Sequence, residues 1–170
     1  MRARIFIGYC GDLGELAQAF AEGARPYSAE VRIGELGVLL RDGGKTALRE
    51  LERSDAVAFG MPSDAGAPAP EMMRLLELTE PLWESGRLDD KVVTVFTDHP
   101  ETPAPDAVIF PVYSALYHWG AVVVGPRDFE LPRAGKPDAR LSAVHYRGRR
   151  LARLAGALAA ERAALAQVQV

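Results

Sequence analysis

Asp55-Ala56-Val57-Ala58-Phe59-Gly60-Met61-Pro62-Ser63 is the stretch from which the rest of the chain can be read. Ala56 to Phe59 is apolar with no polar alternation, the pattern of a strand covered on both faces. The strand Asp55–Gly60 stops abruptly at Gly60 and Pro62, and a loop of small residues and prolines runs on to Pro70. The same pattern returns upstream in Ala3–Tyr9, broken only by Arg4, and downstream in Lys91–Thr97, the clearest strand of all. Ala29–Leu36 and Ala121–Val124 read as two more. Stretches of helical period lie between the strands. Leu13–Ala24 sets Leu13, Leu16, Ala17, Phe20 and Ala21 on one face, with Gly23 and Pro26 marking its end. Thr46–Ser54 turns Leu48 and Leu51 inward, and Glu71–Thr79 follows Pro70, which suits the first helical position. A helix from Ala107 to Trp119 carries Pro111 within it, Asp128–Asp138 is irregular, and Ser142–Ala166 is a long alanine-rich helix.

Strand–helix alternation of this kind calls for a parallel sheet with right-handed crossovers. At this length the expected architecture is one α/β domain over residues 1–170. It is a flavodoxin-like three-layer sandwich with a five-stranded parallel sheet in the order 2-1-3-4-5. Ligands of such a sheet sit outside the carboxyl ends of the strands, at the switch between strands one and three. The loops Tyr9–Gly14, Gly60–Pro70 and Thr97–Ala107 are therefore the expected binding region.

Composition narrows the function classes. The chain has 170 residues, 48% of them hydrophobic and 25% charged, as a globular protein with a full core should. A net charge of −3 with no basic stripe argues against nucleic acid as a partner, and Arg147, Arg149 and Arg150 read as decoration of a helix. Cys10 is the single cysteine, so no internal disulfide can form. The apolar run at the amino terminus is too short for a signal peptide and no stretch suits a bilayer, so the expected location is cytoplasmic. The three histidines show no metal spacing, and no metal site is expected. There is no nucleophile elbow, and Gly43-Gly44-Lys45-Thr46 lacks the first glycine of a phosphate loop.

Asp55–Ser63 resembles the strand and loop "D-A-hydrophobic-hydrophobic-F-G-T-P-T" of WrbA-like NAD(P)H:quinone oxidoreductases, flavodoxin-fold FMN enzymes that form tetramers. The resemblance continues in order through Met72-Met-Arg-Leu-Leu and Leu82-Trp-Glu-Ser-Gly-Arg-Leu-Asp-Asp-Lys91. Leu116-Tyr-His-Trp-Gly120 is similar to that family's "L-A-H-H-G", and Leu141-Ser-Ala-Val-His-Tyr-Arg-Gly148 to its "L-S-x-A-R-Y-Q-G". The resemblance implies FMN, with Cys10, Gly11, Asp12, Leu13 and Gly14 at the phosphate. It implies Pro62, Ser63, Asp64, Ala65, Gly66 and Thr97 along the ring and ribityl chain, and Trp119 near the flavin.

The departures fall on those same loops. Cys10-Gly-Asp-Leu-Gly14-Glu15 has no serine or threonine, and Asp12 and Glu15 bring carboxylates to the place of a dianion. Ser63-Asp-Ala-Gly-Ala67 lacks the family's arginine and aromatic, and Thr97-Asp-His-Pro-Glu-Thr-Pro-Ala-Pro105 replaces a glycine-rich run. FMN binding is accordingly expected to be weak or absent.

Asp98, His99 and His118 are the candidate catalytic groups, since an imidazole beside a carboxylate can move protons near neutral pH. Each also has a plain reading, as a solvated loop pair or as a helix end favouring a protonated imidazole. Cys10 is either a thiol activated by a helix start or a small core residue. Asp12 and Glu15 could bind a cation or cap a helix, capping being the better reading of Glu15, and His145 reads as outward-facing. Three functions stay open. One is two-electron reduction of a quinone or related aromatic by NAD(P)H through FMN. The second is a flavin-free enzyme doing acid/base chemistry on a small aromatic or carbonyl compound, and the third a non-catalytic binder. The final helix shows apolar residues round much of its girth and Gly125–Arg140 is short, which favours a homodimer over a tetramer.

Overall fold

The computed structural model describes residues 2–63, 66–98, 105–125 and 139–168. Five strands form one parallel sheet in the order β2-β1-β3-β4-β5: β1 (Ala3–Tyr9), β2 (Ser28–Glu35), β3 (Ala56–Met61), β4 (Val92–Thr97) and β5 (Val122–Val123). Every residue of β3 and β4 is buried, which is why those two read as unbroken apolar runs. The helices are α1 (Gly14–Ala24), α2 (Leu36–Leu39), α3 (Lys45–Arg53), α4 (Pro70–Leu78), α5 (Glu80–Glu84), α6 (Pro105–His118) and α7 (Ala139–Val168). Element ends differ from expectation by a few residues, and the short α2 and α5 were not foreseen.

The sheet separates two cores. Val57, Phe59, Met61, Val93 and Val95 point towards α3, α4 and α6, where Leu51, Met72, Leu75, Val108 and Trp119 meet them. Ile5, Ile7, Ala56, Ala58 and Phe96 point the other way, against Leu16, Phe20, Val144, Leu151 and Ala155 of α1 and α7. Phe20 stacks on Phe96 with ring centres 5.3 Å apart. At the amino end of the sheet, buried Lys91 donates to the Ser54 carbonyl at 2.5 Å and the Glu52 carbonyl at 3.1 Å, tying β4 to the end of α3. Burial lowers its pKa.

α1 and α7 cross at two glycines. A Cβ on Gly23 would stand 1.9 Å from the His145 carbonyl oxygen, and one on Gly148 would stand 2.0 Å from that of Phe20. Each helix therefore lays bare backbone against the other, and Gly23, expected to mark a helix end, lies inside α1. This crossing carries α7 back along the sheet from the carboxyl ends of the strands.

Candidate functional site

β1, β3 and β4 end side by side. Tyr9 is paired with Gly60 and Met61 with Thr97, and the Cys10 N–H donates to the Gly60 carbonyl at 2.9 Å. The loops that leave these ends form the expected binding region. The first loop turns at Gly11, whose φ of +61° lies in the left-handed region, with the Pro62 ring beside it. Cys10 itself falls under the loop, in the core with Met61 and Met72. Burial, followed by the Glu71 carboxylate, pushes its thiol up to about 12, and a bond from the Met72 backbone only partly opposes this. The thiol is thus protonated and enclosed, and the small-core reading of Cys10 is the one the geometry favours.

Leu13 is the residue before α1 and is buried, and no side chain caps the helix. Glu15 stands in the first turn of α1, where its charge suits the helix dipole as expected, although it makes no capping hydrogen bond; Glu15 and Asp12 are both exposed beside the helix start. The first N–H groups of α1, from Gly14 to Leu16, have no intrahelical partner. Beside Gly14 lies a hydroxyl with no signal in the sequence. The Tyr9 phenol oxygen stands 3.5 Å from where a Gly14 Cβ would be. The strand-ending aromatic was visible in the sequence, but its reach to Gly14 of α1 is set by the fold.

Asp98 gathers three segments. Its Oδ1 accepts from both the Ser63 N–H, at 2.9 Å, and the Ser63 hydroxyl, at 2.8 Å. Arg140, from the first turn of α7, donates to the Asp98 carbonyl at 3.3 Å. The carboxylate expected to be catalytic therefore braces the β3 loop against the end of β4. Next to it the Thr97 hydroxyl is buried with no partner among the described residues, in line with Met61 and Cys10 on the α4/α6 face of the sheet. Gly66 is exposed with φ of +64°, and Pro62 is half-buried. Asp64, Ala65 and His99 lie outside the described residues.

His118 and Trp119 are not with the others. α6 runs antiparallel to β4, so its last residues arrive at the amino end of the sheet. There Trp119 is buried and its indole N–H donates to the Thr79 hydroxyl at 3.2 Å, while the Asp90 N–H donates to the Gly120 carbonyl. His118 is exposed beside Tyr117. Within one chain neither reaches the loops around Gly11 and Asp98. His145 is exposed on α7, as expected. No group of three or more potential metal ligands occurs among the described residues. No helix among the described residues is long and apolar enough to cross a membrane.

Comparison with known proteins gives relatives and structural neighbours. The chain is 32% identical over 152 residues to an NAD(P)H dehydrogenase (quinone) of Archaeoglobus fulgidus, covering 77% of this chain and 79% of that protein. It is 34% identical over 140 residues to an NAD(P)H dehydrogenase (quinone) of Aromatoleum aromaticum, covering 71% and 68%. A flavodoxin, WrbA-like protein from Agrobacterium tumefaciens superposes with a TM-score of 0.70 at 20% identity, covering 90% of this chain and 97% of that one. A flavone reductase superposes with a TM-score of 0.65 at 17% identity over 89% of this chain and 62% of its own. No family model matches. The strand order and flanking helices are those of the flavodoxin-like fold.

Proposed function

The chain belongs to the WrbA-like, flavodoxin-fold family of NAD(P)H dehydrogenases (quinone), and from that premise we propose that it is an NAD(P)H:quinone oxidoreductase working through FMN at the carboxyl ends of β1, β3 and β4. The observation that carries the reading is the start of α1. Unpaired N–H groups at an uncapped helix start form an anion cradle, and the Tyr9 hydroxyl adds the donor that the loop itself lacks. Gly11 lets the loop turn beneath a phosphate, and Pro62 backs it. The Ser63–Asp98 bonds set the spacing of the other two loops, between which a flat ring would lie.

Bound FMN would supply the two-electron chemistry, taking hydride from the nicotinamide and reducing the quinone. The chain orients the partners and shapes the field around them. Asp12 and Glu15 oppose the phosphate. Both are exposed, so at about 5 Å in a water-like dielectric each costs roughly 1 kcal/mol per unit charge. This supports affinity in the micromolar range, below that of a hydroxyl-lined loop. Fluorescence titration with FMN tests the reading. Micromolar binding is expected, submicromolar binding would show that the repulsion is overstated, and no binding at millimolar FMN would end the flavin reading.

Among the described residues, the groups that a flavin-free acid/base enzyme would need do not converge. Cys10 is enclosed and protonated, the Asp98 carboxylate is engaged by Ser63, and His118 is at the far end of the sheet. We further propose a homodimer, with an interface different from the one expected. Among its described large apolar side chains α7 leaves only Leu154 and Leu165 strongly exposed, while α6 exposes Phe110 and Tyr117 two turns apart and the edge strand β5 exposes Val122 and Val123. Light scattering at micromolar concentration should return a dimer mass, and Tyr117→Asp should return a monomer. A monomer mass for the unaltered chain would end the idea.

A further inference from the structure

The arginines of α7 do more than decorate it. Arg149, Arg150 and Arg153, with Tyr146, Leu154 and Ala157, line a cavity of about 390 Å³. None of the three arginines pairs with a carboxylate among the described residues. Arg149 and Arg153 stand one turn apart on the helix, where like charges repel. Such a cluster, in a chain of net charge −3, is a local concentration of positive field at one concave spot.

Two of the three guanidinium groups are already oriented. Arg150 donates to the Gly125 carbonyl at 2.8 Å, and the Arg149 guanidinium lies 5.1 Å over the Tyr146 ring. Each contact leaves N–H groups of a planar fork unused, and two such forks match the oxygens of a phosphate. Leu154, 43% exposed, and Ala157 form an apolar wall next to the charge. The place is separate from the flavin cleft. Arg140 marks the cleft end of α7 through its bond to Asp98, and Arg149 follows about 13 Å further along the helix axis.

We propose that this cavity is a binding site for a small phosphorylated molecule. Arg149, Arg150 and Arg153 hold the phosphate, and Leu154 and Ala157 hold the apolar part of the ligand. The site is independent of the quinone-reductase reading.

Pyrophosphate and adenosine diphosphate are the probes, titrated calorimetrically at low ionic strength into the full chain saturated with FMN, which fills the phosphate cradle at α1. Sodium chloride at matched ionic strength is the control. Both probes should bind at one site per chain, the nucleotide more tightly. The double variant R149Q/R153Q, altered only at exposed side chains, should weaken both at least tenfold and leave the FMN titration unchanged. L154S should remove the advantage of the nucleotide alone. The proposal is overturned if neither probe binds beyond the sodium chloride control, or if the double variant binds as the unaltered chain does. Sedimentation with anionic phospholipid vesicles, without binding of either probe, would equally overturn it.

Discussion

Replacing Gly148 with alanine puts a methyl group where the structure has another helix's backbone. The new Cβ would stand 2.0 Å from the Phe20 carbonyl oxygen and 2.9 Å from its carbon. Carbon and oxygen rest near 3.5 Å, so α1 and α7 must separate by about 1 Å or more. The obstacle is main chain inside a helix and cannot rotate away. Around it pack Ala17, Phe20, Ala21, Val144, Leu151 and Ala152, all buried, and each would lose contact as the helices part. Overpacking of this kind costs about 1–3 kcal/mol, and an immovable backbone belongs at the top of that range. Alanine's better helix propensity returns about 1 kcal/mol. The net loss is therefore about 2 kcal/mol, or about 4–8 °C in Tm for a domain of this size. Thermal unfolding followed by circular dichroism reads it directly. Gly125→Ala is the control, because no atom of the described residues lies within 4 Å of a Cβ there. A Gly148→Ala protein with Tm unchanged or raised would show that propensity decides and that the crossing is looser than described.

Three further outcomes follow from the site. Asp98→Ala strands the Ser63 N–H and hydroxyl and should cost about 1–3 kcal/mol in urea unfolding. It should also weaken FMN binding, whereas Asp98→Asn retains an acceptor and should recover most of both. The Cys10 thiol should resist iodoacetamide in the folded protein and react at once in urea. Its folded pKa of about 12 lies above the unfolded 9.0, so the unfolded chain loses the proton first. Its share of stability is complete below pH 9 and should fall from there towards pH 12, and Cys10→Ala should lose that slope. Asp12→Ser removes one exposed carboxylate from the helix start and should tighten FMN by about 1–2 kcal/mol, roughly five- to thirtyfold. Weaker FMN binding by that variant would mean the carboxylate is not near the phosphate.

The sheet was legible because its signal is local. β3 and β4 are buried throughout and so read as apolar runs, and the alternation with helices leaves few strand orders. α2 and α5 escaped because helices that short show no period. Gly23 looked like punctuation, since what it admits is the backbone of His145, far along the chain. Asp98 was rightly set at the strand end, yet its bracing role depends on Ser63, a partner from another loop. Trp119 and His118 were assigned to the cleft by resemblance, although a helix returning from the end of β4 delivers them to the opposite end. Tyr9 reads as the end of a strand, and only the fold brings its hydroxyl beside Gly14 at the start of α1.

The proposed activity moves electrons from a nicotinamide to a quinone through FMN held at the start of α1. The direct measurement is NAD(P)H oxidation by purified chain with benzoquinone, with and without saturating FMN, alongside the Tyr9→Phe variant. Turnover should require FMN, saturate with it at micromolar concentration, and need more FMN to saturate once the Tyr9 hydroxyl is gone. Turnover no faster than free FMN gives alone, at concentrations where the chain should be loaded, would contradict it.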